Sequence, residues 1–284
     1  MPEQRVLVLG ANGQLGKALR AEFPHAVFYG RKECDLSRIE QVHKLPIDQF
    51  DVVINAAAYT AVDMAETFEG EVTAEAVNAS AVEAISAATT QHGVLLVHVS
   101  TDYVFDGTQK SPYTEVDEFN PLGVYAKTKA QGDLAVMSVP QHYLLRTSWV
   151  IGDGNNFVRT MASLAERGIK PSVVNDQIGR LTFTKDLAAA IRHLVDSKAA
   201  FGTYNLSNEG PASSWADIAA QVYELTGYNP LEVTGVSTEE YFAGKAGIAP
   251  RPLNSLLNLS KITSTGFTPA SWQERLQEYL AQAD

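Results

Sequence analysis

The sequence predicts an α/β fold, a doubly wound parallel sheet carrying a smaller C-terminal α/β domain. Three observations predict it. Short apolar runs recur through the first half, at Arg5 to Leu9, Ala26 to Tyr29, Asp51 to Ala58, Val94 to Val99 and Tyr143 to Trp149. They are nearly continuous rather than alternating, which is the pattern of strands covered on both faces. Between them lie stretches of helical spacing, such as Val77, Ala81, Ile85 and Ala88 in the helix expected over Ala74 to Gln91. The first run also leads directly into a glycine-rich turn, Gly10 to Gly16, with a helix expected over Lys17 to Phe23.

Strand, glycine turn and helix in that order are the context of a dinucleotide site, the Rossmann type. Gly10, Gly13 and Gly16 let the turn close and let backbone N–H groups approach a pyrophosphate. The helix start adds its partial positive charge. The spacing is G-x-x-G-x-x-G, which leans towards extended short-chain dehydrogenases/reductases. The second strand ends at Gly30-Arg31-Lys32. No acid stands there for a ribose 2′-hydroxyl, and Arg31 and Lys32 suit a 2′-phosphate, so NADPH is expected, with NADH left open. Asp35, followed by Leu36, suits a carboxylate accepting from an adenine amino group. The small residues Ala56, Ala57 and Ala58 at the third strand's end let backbone lie against a cofactor.

The remaining elements follow from caps and spacing. Pro112 to Pro121 is an acidic loop, and Tyr125 opens a helix carrying Lys129. Val173 to Asp176 and Gly202 to Leu206 read as short strands. Thr184 reads as the N-cap of a helix with Leu187, Ile191 and Leu194 facing inward. Ser214-x-x-Asp217 and Ser271-x-x-Glu274 open two more helices, the first stopping at Gly227. The dinucleotide domain is expected over 1–150 with returning segments near 172–205. The substrate domain is expected over 151–171 and 206–284, with the substrate in the cleft between them.

The totals exclude other classes. The 284 residues carry a net charge of −11 without a basic block, which argues against nucleic acid or an anionic membrane as partner. No apolar run approaches the length of a membrane span. A single cysteine, Cys34, makes no internal disulfide, so a reducing cytoplasm is expected. The six histidines lack metal-ligand spacing, and no metal is assigned.

The chemistry rests on Ser100, Thr101 and Asp102 at the end of the fourth strand, and on Tyr125 and Lys129 one helical turn apart. A ketone accepts hydride when its oxygen is protonated as charge develops. A tyrosine can donate that proton. Shuttling near neutrality needs its pKa lowered from about 10 by about 3 units, or about 4 kcal/mol. A nearby lysine ammonium and a positively charged nicotinamide act in that direction. Thr101 would hydrogen-bond the substrate oxygen. Y-x-x-x-K alone is weak, since Tyr241 to Lys245 also fits. That copy has no polar strand end before it.

The strings GANGQLG (10–16), NAAAYTAVDMAE (55–66), VSTDYVFDG (99–107), YAKTK (125–129), RTSWV (146–150), NNF (155–157), VVNDQIG (173–179) and RPLNS (251–255) resemble the dTDP-4-dehydrorhamnose reductase family, of the extended short-chain dehydrogenase/reductase superfamily. The resemblance spans nearly the whole chain. It implies NADPH-dependent reduction of the C4 ketone of dTDP-4-dehydro-L-rhamnose, in the supply of rhamnose for cell-wall polysaccharide. It implies Tyr125 as proton donor with Lys129 and Thr101. It places Gly13, Gln14, Leu15, Asp35, Leu36, Ala58, Tyr59 and Thr60 along the dinucleotide. It puts Thr101, Asp102, Trp149 and Asn156 at the sugar nucleotide, with Arg251 a candidate for its diphosphate. Some family members dimerise through Mg²⁺ held by glutamates. The corresponding positions here are Ala18 and Lys185, so a monomer is favoured over a Mg²⁺-bridged homodimer.

Two rivals share the fold. A 4,6-dehydratase needs a second carboxylate after Asp102, where Tyr103 stands; an epimerase or other nucleotide-sugar reductase is less affected by that absence. A non-catalytic regulatory subunit, of the type that partners methionine adenosyltransferase, could dispense with Thr101, Tyr125 and Lys129, all of which are present.

Overall fold

The computed structural model describes residues 4–282; the outermost ends of both predicted domains, 1–3 and 283–284, lie outside these. Six parallel strands form the large sheet: β1 (Val6–Leu9), β2 (Val27–Tyr29), β3 (Val52–Asn55), β4 (Leu95–Thr101), β5 (His142–Thr147) and β6 (Gly202–Leu206). Their spatial order is β6-β5-β4-β3-β1-β2. The order reverses beside β1, which opens a crevice beyond the carboxyl ends of β1 and β3, where ligands gather in such sheets.

Helices cover both faces because both faces are apolar. On one side α1 (Gln14–Glu22) sends Leu15 and Leu19 against Leu187, Ile191 and Leu194 of α2 (Thr184–Ser197), above Val8, Ile54 and Leu145. On the other, Val77, Val82, Ile85 and Val136 close over Leu7, Val53, Leu96 and Leu144. Burying each such side chain contributes about 1.5–3 kcal/mol. The helix expected over Ala74 to Gln91 is interrupted. An α-helix over Phe68–Glu75 passes into a π turn at Ala76–Ser80 before continuing over Ala81–His92. Asn78 in that turn is buried, accepts from Tyr59 N at 2.9 Å and donates to Tyr59 O at 3.0 Å. The π turn satisfies the Tyr59 backbone at the edge of the crevice.

A third apolar cluster joins Ile151, Val158, Leu181, Phe183, Ile218, Val222, Trp272 and Leu276. Two sequence expectations change here. Ser172–Val174 does not return to the large sheet; it pairs in parallel with Thr234–Val236, and Val173 packs in this third cluster. Thr184 is the first helical residue rather than the cap. Phe183 takes the cap position, fixed by its N–H to Asn208 Oδ1 at 2.8 Å. The capping box of Ser214 with Asp217 forms as expected.

Candidate active site

One cavity of about 730 Å³ opens beyond the carboxyl ends of the strands. Its floor is the glycine turn. Gly10 has φ +90°, and a Cβ there would stand 2.7 Å from Ala57 N, so only glycine lets the turn lie on the Ala56–Ala57 backbone. Gly13, Gln14 and Leu15 line the cavity with Gly10; Gly16 does not, because it packs against the Gly10 carbonyl. No side chain caps the start of α1. Its first N–H groups and the buried, unpartnered Gln14 Oε1 are thus donors and an acceptor available to a phosphate-bearing ligand.

Arg31, Asp35 and Leu36 line the same cavity, as do Ala56, Ala57, Ala58 and Thr60. Lys32 and Tyr59 are not in its lining; Tyr59 contributes through the backbone held by Asn78. The Asp35 carboxylate accepts from Ser37 N and Oγ, which lowers its pKa, burial opposing. One acid near the β2 end escaped the sequence reading. Glu33 folds back to accept the Gly30 N–H at 2.8 Å, although it is Arg31 that lines the cavity.

The reacting end joins β4 to α3 (Val124–Met137). Thr101, Asp102, Tyr125 and Lys129 are all buried and all line the cavity. Thr101 Oγ1 donates to Asp102 Oδ1 at 3.1 Å and accepts from Tyr103 N at 3.2 Å. Burial raises the Asp102 pKa to about 6, hydrogen bonds opposing. Burial also raises the Tyr125 phenol, opposed by a hydrogen bond with Thr101. The Tyr103 ring meets the Tyr125 ring edge-on at 5.5 Å. Lys129 Nζ does not turn to the phenol. It donates to Val99 O at 2.8 Å and lies 3.2 Å from His98 Nε2, and burial lowers its pKa to about 8, Asp133 opposing. The lowering of the tyrosine expected from Y-x-x-x-K is therefore not built into the protein alone; burial outweighs it.

Trp149 and Asn156 reach the far side of the cavity. Trp149 has φ 48°, a left-handed conformation that is costly for a bulky residue, about 1–3 kcal/mol. Its ring is fixed between Trp215, stacked at 3.8 Å, and Gly179, where a Cβ would fall 2.7 Å from the indole. Trp215 was missed by the sequence reading; an aromatic directly after the Ser214 cap was its only signal. Asn156 Nδ2 donates to Gly152 O, Gly154 O and Tyr279 Oη, so its amide is engaged in fixing the loop before Phe157. Arg251 departs from the expectation. It lies outside the cavity lining, its guanidinium bound to both Asp63 oxygens at 2.9 and 2.8 Å and to Ala249 O. The second Y-x-x-x-K stays away from the site, with Lys245 over the Tyr241 ring at 4.2 Å.

Residues 4–284 match the family model described as the RmlD substrate binding domain. A dTDP-4-dehydrorhamnose reductase of Aggregatibacter actinomycetemcomitans is 38% identical, with 99% of each chain covered. The solved dTDP-4-dehydrorhamnose reductase of Clostridium acetobutylicum superposes with a TM-score of 0.90 at 37% identity, covering 98% of this chain and 99% of that one. That of Bacillus anthracis, in complex with NADP, gives 0.90 at 34% identity, covering 99% of each. With the family model matched over residues 4–284 and a relative 38% identical across 99% of the chain, the chain belongs to the dTDP-4-dehydrorhamnose reductase family.

Proposed function

We propose that this chain reduces the C4 ketone of dTDP-4-dehydro-L-rhamnose with NADPH, forming dTDP-L-rhamnose. The observation that carries the reading is the convergence of Thr101, Tyr125 and Lys129 with the Gly10–Leu15 turn on a single cavity. The residues present fit the cofactor. The uncapped α1 start and Gly10–Gly13 would hold the pyrophosphate, Arg31 a 2′-phosphate, and Ala56, Ala57, Ala58 and Thr60 would lie along the dinucleotide. NADPH supplies the hydride when bound.

The protein supplies orientation and the proton. Burial keeps Tyr125 as phenol, the form able to donate to the developing C4 oxygen. Thr101 Oγ1 aligns that oxygen by turning its single proton from Asp102 Oδ1 towards it, while Tyr103 N–H keeps the hydroxyl in place. Lys129 in its charged form stabilises the phenolate left behind. Tyr103, packed on the Tyr125 ring, occupies the position where a dehydratase needs a second carboxylate. The free, buried Cys34 fits a cytoplasmic setting, and no helix among the described residues is long and apolar enough to cross a membrane. Ala18 and Lys185 favour a monomer.

The test supplies dTDP-4-dehydro-L-rhamnose and follows the loss of NADPH. Turnover by wild type, with a loss of about 10²–10⁴ in kcat for Tyr125→Phe, is the expected result. Wild-type inactivity would remove the reductase reading in favour of a binding role.

A further inference from the structure

His98 is fully buried in β4, between Asn55 on β3 and Lys129 on α3. The polarity of the three contacts can be read in sequence. Ala57 N donates to Asn55 Oδ1 at 3.1 Å, so the Asn55 amide presents its Nδ2–H₂ group to His98. That group lies 3.1 Å from His98 Nδ1 and can only donate, so Nδ1 is the acceptor. A neutral imidazole accepting at Nδ1 carries its proton on Nε2. Nε2 lies 3.2 Å from Lys129 Nζ, which already donates to Val99 O. An ammonium has no lone pair to receive an N–H; an amine has one.

Resting on the reductase reading above, we propose that His98 is a positioning residue, donating its Nε2–H to Lys129 and so favouring the uncharged amine at the reacting end of the cavity. The other groups facing Lys129 do not reverse this. Asp133, one turn along α3, favours the ammonium, but Arg146 from β5 is bound to it at 3.1 Å and offsets its charge. Tyr125 is held as phenol, and β3 offers Asn55 rather than a charge. The depressed proton affinities of both His98 and Lys129, each caused first by burial, agree with the same arrangement. The consequence is an alkaline limit on turnover. Tyr125 needs a charged Lys129 as the proton leaves it, and His98 brings the loss of that charge to lower pH.

Two measurements test this. Nitrogen NMR of histidine-labelled wild type, with the His98 signals assigned by their loss in His98→Gln, should show the Nε2–H tautomer at neutral pH. Asn55→Asp, which offers only acceptors, should switch it to Nδ1–H. An Nδ1–H tautomer in wild type overturns the proposal, whether or not the protein turns over the sugar nucleotide. In His98→Gln the side-chain carbonyl can turn to accept from the ammonium, so the alkaline limb of kcat/KM should move up by about one pH unit. A merely structural His98 would lower stability or kcat and leave the limb in place, and that outcome also overturns the proposal. Failure of the wild type to oxidise NADPH would sink the reductase reading, and the tautomer would still decide the role of His98.

Discussion

Trp149 and Trp215 stack face to face, ring centroids 3.8 Å apart and planes 18° apart, although one follows β5 and the other opens the helix after Ser214. The stack fixes the Trp149 indole at the cavity while its backbone holds a left-handed conformation. Such ring pairs contribute about 0.5–1.5 kcal/mol beyond their buried area. Trp215→Ala should therefore raise KM for the sugar nucleotide by up to about tenfold, with a smaller change in kcat. Steady-state kinetics check it, and an unchanged KM would show that Trp149 is held by Gly179 and its backbone alone.

Arg31 is the cation in the lining nearest the end of β2, with the Glu33 carboxylate turned onto the Gly30 N–H beside it. Arg31→Ala should reduce kcat/KM for NADPH by about tenfold, the scale of one charge-assisted contact, and leave NADH little affected. The ratio of the two cofactors measured in both proteins decides the point; an unaltered ratio would take Arg31 out of cofactor choice.

Asp106 accepts from Thr108 N at 2.9 Å, Thr108 Oγ1 at 2.8 Å, Tyr113 Oη at 2.9 Å and Asn120 Nδ2 at 2.8 Å. The Thr108 N–H foremost, with the side-chain donors, lowers its pKa to about 2. A carboxylate depressed on folding stabilises the fold above its unfolded pKa, about 3.9, and that stabilisation is lost as pH falls through the folded value. The Tm gap between wild type and Asp106→Asn should be full at neutral pH and close between about pH 4 and pH 2. Thermal melts across that window test it; a gap independent of pH would mean that Asp106 acts through shape alone.

Arg146 and Asp133 form a fully buried pair, Nε to Oδ2 at 3.1 Å, with the guanidinium also donating to Glu115 O and lying 4.7 Å over the Phe119 ring. Removing one partner leaves an uncompensated charge, so Arg146→Met should cost about 3–5 kcal/mol. Adding Asp133→Asn should restore part of that loss. Denaturant unfolding of the single and double variants measures the coupling.

The sequence by itself determined the sheet, the glycine turn and the identity of Thr101, Tyr125 and Lys129. These are local signals: apolar runs bounded by turns, glycines spaced G-x-x-G-x-x-G between a strand and a helix, a phenol and an amine one turn apart. What lay between elements was decided only by tertiary structure. Asn55, His98 and Lys129 come from three elements and meet because adjacent strands and the covering helix bring them together; in sequence His98 is one polar residue in an apolar run. The π turn at Asn78 is not visible in the helical period, because Val77, Ala81 and Ile85 keep their four-residue spacing through it and all enter the same apolar cluster. Arg251 faces Asp63 across 188 residues, a pairing that no local pattern encodes. Side-chain type is written in the chain. Which way each polar group points, and hence which proton it carries, follows from partners that only folding supplies.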